Sequence, residues 1–154
     1  MKWLGLIACI VLCNAAGGLG ALTVGDGSGW YDVLRLPAFA PPGWLFGVVW
    51  PILYALMGIG LWRVWNAQWN VDRFSGEVKL FLAQLAVNAI WTPIFFGLRM
   101  PWLAFGVIVV LLLLIGLTIR AFHRVDRVAA WLLVPYLLWV AFATVLNGAI
   151  AWMN

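Results

Sequence analysis

The sequence contains very little charge. Of its 154 residues, only 9% are Asp, Glu, Lys or Arg, whereas 66% are hydrophobic. About a quarter of the residues of a soluble domain are charged, and one soluble core of this length cannot hide so much apolar surface. The scarcity of charge therefore excludes a soluble globular protein and predicts an integral membrane protein with a single domain over residues 1–154.

Residues that carry common chemistry are also scarce. His123 is the only histidine, and Cys9 and Cys13 are the only cysteines. His123 lies in a short basic loop without the partners that a metal site needs, and the cysteines share one face of an apolar run as small packing residues. The sequence shows no catalytic triad, phosphate loop or zinc motif.

The basic residues stand singly at the ends of apolar runs, which excludes a nucleic-acid-binding stripe.

Long apolar runs dominate the chain. Crossing the hydrocarbon takes about 20 helical residues, and five runs meet this length: 3–22, 44–66, 79–98, 102–122 and 129–152. They are continuously apolar without alternation, so they predict helices rather than barrel strands. We therefore expect an all-α membrane protein, a five-helix bundle with a long first loop over residues 23–43.

The first run has an alternative interpretation, because Lys2 followed by an apolar stretch and small residues is also typical of a signal peptide. The apolar character continues to Leu22, and small residues recur every four positions at Cys9, Cys13 and Gly17. Such spacing is typical of packed membrane helices, which favours a mature first helix. The same small residues and the apolar fourth helix are candidate subunit contacts.

The basic residues predict the orientation in the membrane. If the N-terminus faces the cytoplasm, only Arg35 and Arg99 lie on the outer side, and the inner side carries Lys2, Arg63, Arg73, Lys79, Arg120, Arg124 and Arg127. Cytoplasmic loops are enriched in Lys and Arg, so we expect the N-terminus inside and the first loop outside. Pro41 and Pro42 fix the entry into the second helix, and the loop before them is predicted to be a lid.

Three helices carry polar and aromatic residues on one face. These are Gly47, Trp50, Tyr54 and Met57 on the second helix, Gln84, Asn88, Trp91 and Phe95 on the third, and Tyr136, Trp139, Ala143 and Asn147 on the fifth. Amides are costly in hydrocarbon unless they are paired, so these faces should point inward. Together they predict an aromatic cavity beneath the lid for a flat, largely apolar ligand. The alternative is that the polar groups only join the helices.

Three segments of the chain resemble the signature segments of a known family. They are "WYDVLRLPAFAPPGWLFGVVWPILY", "QLAVNAIWTPIFFG" and "PYLLWVAFATVLN", which are similar to those of the TspO/MBR family of translocator proteins, tryptophan-rich sensory proteins and peripheral-type benzodiazepine receptors. The resemblance covers essentially the whole chain. It implies a five-helix bundle, commonly a homodimer, that binds porphyrins such as protoporphyrin IX beneath the first loop. Isoquinoline and benzodiazepine-type ligands use the same pocket.

The resemblance also implies roles for individual residues. By motif position it adds the lid residues Trp30, Tyr31 and Asp32 to the pocket, and it places Tyr54, Asn88, Trp91 and Ala143 there. Some bacterial members promote light-dependent breakdown of protoporphyrin, and the tryptophans implicated map to Trp50 and Trp139. A porphyrin receptor or sensor is the main expectation, with a light-dependent enzyme and a porphyrin or lipid transporter as open alternatives. The porphyrin is expected as a ligand, and no intrinsic cofactor is expected.

The chain departs from the family pattern at two points. The loop "RLPAFA" has Leu36 before Pro37 and Phe39 where the family usually has lysine and tryptophan. No basic residue follows Tyr136 on the fifth helix, so the sterol pattern of animal members is missing and sterol binding is not expected. The missing sterol element, together with the short end of the chain, is expected of a bacterial member in the cytoplasmic membrane.

Overall fold

The computed structural model describes residues 2–22, 28–69, 71–72 and 74–154. Residues 23–27 of the first loop, and Arg73 of the orientation count, lie outside the described part. Within it the structure is helical and contains no strand. Its elements are α1 (Lys2–Leu22), α2 (Ser28–Val33), α3 (Gly43–Ala67), α4 (Gly76–Thr92) with a π-helical continuation (Pro93–Gly97), α5 (Pro101–Val125), α6 (Arg127–Leu132) and α7 (Val134–Met153).

Five helical stretches are long and apolar enough to span a membrane. They are Trp3–Leu22, Gly43–Ala67, Gly76–Gly97, Pro101–Val125 and Arg127–Met153. Each agrees with a predicted run to within a few residues at both ends. The predictions of an all-α fold and of a multi-pass membrane protein are therefore confirmed.

The first loop contains a helix that the sequence analysis did not predict. After α2, residues 34–42 cross the end of the bundle, and two contacts fasten them to α7; we call residues 28–42 the lid. The Arg35 amide donates to Asn154 Oδ1 (2.9 Å), and Asn154 Nδ2 donates back to the Arg35 carbonyl (3.0 Å). Phe39 packs edge-on against Phe142, with ring centroids 6.3 Å apart. The lid is thus tied to the far end of the last helix.

Helix α1 packs against α3 and α4, and α3, α6, α7 and α5 complete the ring of helices. Cys9 and Cys13 are buried, and Gly58 on α3 meets the α1 backbone so closely that a Cβ there would lie 2.6 Å from Ile10 Cα. Gly17 contacts the ring of Tyr54. The small residues of α1 therefore pack within one chain, which corrects their interpretation as subunit contacts.

Prolines shape two of the helix ends. At the end of α4, the Leu98 amide bonds to the Pro93 carbonyl (2.8 Å), and the chain then turns through Arg99 at φ 56°. The last membrane span is divided at Leu133, whose amide bonds to the Ala130 carbonyl (3.1 Å). Pro135 has no N–H to continue the α-helical pattern there. These breaks set the directions in which α5 and α7 leave the turns.

A chain of buried hydrogen bonds joins α3, α4 and α7. Tyr54 Oη donates to Asn88 Oδ1 (2.6 Å), Asn88 Nδ2 donates to Tyr136 Oη (2.9 Å), and Tyr136 Oη donates to Gln84 Oε1 (2.9 Å). All four side chains are buried. Hydrocarbon offers no other partner for these groups, so the network fixes the relative positions of the three helices.

A second network joins α4, α5 and α7. Trp91 Nε1 donates to Asn147 Oδ1 (3.1 Å), and Asn147 Nδ2 donates to the Pro101 carbonyl at the start of α5 (2.9 Å). The inward orientation of the polar faces predicted from the sequence is therefore confirmed on α3, α4 and α7.

An ion pair stabilises the end of the bundle opposite the lid. Arg63 on α3 contacts Asp126 Oδ2 through Nη2 (2.8 Å) and Nε (3.0 Å), while Asp126 Oδ1 caps α6 by accepting from the Ala129 amide (2.9 Å). Burial by itself raises the pKa of the Asp126 carboxyl, but the Ala129 amide and the Arg63 guanidinium favour the charged form more, so the pKa is lowered.

We expect Asn88→Leu to destabilise the bundle. The variant keeps the side chain's volume but leaves the Tyr54 hydroxyl without its acceptor, which costs about 1–3 kcal/mol for a buried group. Thr144→Val is the matched control, because Thr144 donates only within its own helix, to the Val140 carbonyl. Thermal unfolding of the purified protein in detergent measures both variants. Equal melting temperatures for Asn88→Leu and wild type would contradict the role of the network.

We expect Asp126→Asn to lower the unfolding free energy by about 1–2 kcal/mol at pH 7. Asparagine also caps helices well, so the variant removes the ion pair and keeps the cap. A lowered pKa stabilises the fold above the ordinary Asp value of about 3.9, and that stabilisation is lost as the pH falls through the folded-state pKa. The difference in unfolding free energy between the variant and wild type should therefore stay constant from pH 7 to about 4 and become smaller below pH 4. A difference that stays constant down to pH 2 would show that it does not come from the ion pair.

Candidate ligand-binding cavity

A cavity of about 750 Å³ lies between α1, α3 and α4, beneath α2. Small residues make room for it, because they leave the space between the helices unfilled. On α1 these are Gly18 and Ala21, and on α3 they are Gly43 and Gly47, whereas the space at Gly17 is taken by the ring of Tyr54. A Cβ added at Gly18 or Gly47 would meet nothing within 4 Å. The cavity is therefore a consequence of where the sequence places glycine and alanine.

Aromatic rings form the inner wall of the cavity. Trp50 stacks on Tyr54, with centroids 5.4 Å apart and planes 25° from parallel, and Trp91 lies 6.5 Å from Trp50. Phe46 and Phe96 continue this wall. The hydroxyl of Tyr54 and the indole N–H of Trp91 are bonded to Asn88 and Asn147. The networks thus hold these rings in place and leave their faces to the cavity.

The lid closes one end of the cavity with Tyr31 and Asp32. Tyr31 is 4% exposed, packs against Phe46 with centroids 5.7 Å apart, and donates its hydroxyl to the Pro41 carbonyl (3.2 Å). Burial, and then the nearby charge of Asp32, raise the pKa of the Tyr31 hydroxyl, so it stays neutral. Asp32 is exposed at this end.

The predicted site residues divide into two groups. Five of them line the cavity, namely Tyr31, Asp32, Trp50, Tyr54 and Trp91. The others lie behind this wall or beside it: Trp30, Gln84, Asn88, Phe95, Tyr136, Trp139, Ala143 and Asn147. Four of these residues form hydrogen bonds between helices, as the alternative interpretation expects: Gln84, Asn88, Tyr136 and Asn147.

Three of the residues outside the large cavity line a much smaller void. Phe95, Ala143 and Asn147 surround a space of about 10 Å³, which is about enough for one water molecule. Trp30 packs edge-on against Phe95 with centroids 5.3 Å apart. The described residues pack closely in this region, and the void is far smaller than a typical ligand site of about 300–1,000 Å³.

Trp139 does not line the large cavity, which corrects the expectation that it faces the same space as Trp50. Its ring packs against Phe46 (5.8 Å) and Phe142 (5.6 Å), and Phe46 is the residue that reaches the cavity. Helix α7 lies across the bundle from α1, so its aromatic residues support the wall from behind. The indole Nε1 of Trp139 is buried without a hydrogen-bond partner.

Several residues of the cavity were missed by the sequence analysis. Trp44, which the sequence analysis did not assign to the site, lines the cavity while remaining 69% exposed. The walls also include Asn14, Gly17, Gly18, Ala21, Phe46, Thr92 and Phe96. The four-residue spacing of small residues on α1 was the available signal, and it was interpreted only as packing.

Comparison with known proteins identifies the relatives of this chain. The sequence profile of the TspO/MBR family matches residues 9–153. The tryptophan-rich protein TspO of Chlorobaculum tepidum is 41% identical over 98% of this chain and 96% of its own length. A tryptophan-rich sensory protein of Cereibacter sphaeroides is 38% identical over 96% and 89%. The translocator protein of Bos taurus is 40% identical over 94% and 87%.

The match extends over nearly the whole sequence, and the relatives share its length. The five membrane helices of the structure agree with it. Membership supports a role as a membrane sensor or receptor. The chain belongs to the TspO/MBR family.

Proposed function

We propose that this protein is a membrane receptor or sensor that binds a flat, largely apolar tetrapyrrole of the protoporphyrin type in the cavity between α1, α3 and α4. The observation that carries the proposal is a cavity of about 750 Å³ with an indole and phenol wall. Ligand sites typically occupy about 300–1,000 Å³ and are lined mainly by apolar and aromatic side chains.

The wall suits a wide aromatic ring. The ring centroid of Trp50 lies 5.4 Å from that of Tyr54 and 6.5 Å from that of Trp91, and such rings bind a flat partner by stacking and by edge contacts. The hydroxyl of Tyr54 and the indole N–H of Trp91 are already bonded to Asn88 and Asn147. A largely apolar ligand therefore leaves these two buried polar groups satisfied.

The open side of the cavity suits a ligand that dissolves in the membrane. Gly18 on α1 and Gly47 on α3 both line the cavity and are both exposed on the surface of the bundle. They lie within spans that are apolar enough to cross the bilayer. A hydrophobic tetrapyrrole that partitions into the lipid would reach the site between these two helices.

The geometry does not favour the alternative in which Trp50 and Trp139 act together on a bound ring in a light-dependent reaction. Trp50 lines the cavity, whereas Phe46 covers Trp139 from that side. Binding is therefore the function that the arrangement supports best.

We expect Gly47→Leu to weaken protoporphyrin IX binding at least about tenfold, a loss of about 1.4 kcal/mol. The new side chain projects into open space within the cavity, and leucine is a better helix former than glycine, so the fold should be retained. The measurement is quenching of tryptophan fluorescence during titration of the protein in lipid nanodiscs.

Gly116→Leu is the control for this substitution. Gly116 is exposed on α5, and a Cβ there also meets nothing within 4 Å, but it does not line the cavity. Binding by this variant should equal that of wild type. Unchanged affinity in Gly47→Leu, with an unchanged melting temperature, would place the ligand elsewhere.

A matched pair of tryptophan variants tests the wall itself. We expect Trp50→Leu to weaken protoporphyrin IX binding about tenfold, because it removes the ring that stacks on Tyr54 at the cavity surface. Trp139→Leu should change the affinity less than about twofold, because Trp139 lies behind Phe46. Absorbance of the bound porphyrin measures both affinities without relying on protein fluorescence. A larger loss in Trp139→Leu than in Trp50→Leu would contradict the assigned wall.

A further inference from the structure

The cavity carries a single charge at its lid end. Of the described residues that line it, Asp32 alone has a charged side chain. The other polar residues in the lining, among them Asn14 and Thr92, are neutral. Asp32 is exposed, so its carboxylate lies where the cavity meets water.

No described cation neutralises this carboxylate. Asp32 forms no ion pair with the described residues, and this includes Arg35, which lies three positions later. The Arg35 backbone is tied to Asn154 at the end of α7, and neither Arg35 nor Arg99, the other basic residue at this end, lines the cavity. The mouth of the cavity is therefore acidic.

Asp32 is the charged group of the lining that the polar edge of a bound ligand can meet. Charged groups are costly at the depth of the hydrocarbon, and two of the deeper polar groups are already occupied, since Tyr54 donates to Asn88 and Trp91 donates to Asn147. Tyr31 donates to the Pro41 carbonyl. An amphiphilic ligand thus places its apolar body against the aromatic wall and its polar edge beside Asp32.

We propose that Asp32 determines the charge class of the ligand, selecting tetrapyrroles or similar flat amphiphiles whose polar edge is neutral or cationic over those with carboxylates. This inference rests on the proposed function. For an exposed pair of charges a few ångströms apart, the Coulomb energy corresponds to about a fivefold change in affinity. Salt screens such an interaction. Salt does not change the shape of the cavity, so the two contributions can be separated.

The experiment compares three porphyrins that share one ring: protoporphyrin IX with its two carboxylates, its neutral dimethyl ester, and a bis-amide that carries two amines. Binding is measured in nanodiscs of zwitterionic lipid for wild type and Asp32→Asn. We expect Asp32→Asn to bind the dicarboxylate about fivefold more tightly and the diamine about fivefold more weakly. The ester should bind both proteins equally, and high salt should remove both shifts.

Asp72→Asn is the matched control. Asp72 is exposed in the connection between α3 and α4, at the opposite end of the bundle, and accepts a hydrogen bond from the Phe74 amide that asparagine can also accept. This variant changes the net charge by the same amount, so unchanged affinities for all three porphyrins would show that the effect of Asp32 is local. Asp32→Lys provides a second variant, which should enlarge both shifts.

Two results would overturn the proposal. Equal shifts for all three porphyrins in Asp32→Asn would show that the residue acts through shape, and no shift at low salt would show that it does not meet the ligand's polar edge. In both cases the proposed porphyrin site would stand. If wild type binds none of the three porphyrins, the proposed function fails, and this inference fails with it.

Discussion

The bilayer offers no hydrogen-bond partner to a buried polar group, and the structure depends on how the chain meets this constraint. Tyr54, Asn88, Tyr136 and Gln84 Oε1 are joined in a chain of hydrogen bonds of 2.6–2.9 Å across three helices. Because α3, α4 and α7 are fixed in this way, the centre of the bundle is packed, and these polar side chains are hydrogen-bonded to one another. Among the described residues, the large cavity lies where the chain has small residues, on the side of α1.

The same constraint explains how one structure can combine a rigid wall with an open side. The networks hold the rings of Trp91 and Tyr54 from behind, so their faces are positioned before any ligand arrives, which lowers the cost of binding. On the other side, Gly18 and Gly47 leave a gap between α1 and α3. Lid and wall meet at Tyr31, whose ring packs on Phe46 and whose hydroxyl bonds to the lid's own backbone. The functional proposal follows from this division between fixed and open surfaces.

Much of the fold could be predicted from the sequence, because the length and the apolar composition of a segment indicate a membrane span. The inward direction of Gln84, Asn88 and Tyr136 could also be predicted, since helical spacing and the cost of buried amides leave no other choice. The position of the cavity could not be predicted. The spacing of residues along a helix shows which face is buried, but it does not show which neighbouring helix packs against that face. Trp139 shares the chemistry of Trp50, yet α7 lies across the bundle from α1. The helix α2 and the bonds between Arg35 and Asn154 depend on long-range contacts that leave no local pattern.

The central claim is that the ligand occupies the space between α1, α3 and α4 rather than the polar centre of the bundle. A photoreactive porphyrin, cross-linked to the wild-type protein in nanodiscs and mapped by mass spectrometry of its peptides, tests this most directly. The account predicts labels on residues 14–21 of α1 and 43–54 of α3, where the cavity is lined. Labels confined to residues 136–147 of α7, with α1 unlabelled, would contradict it.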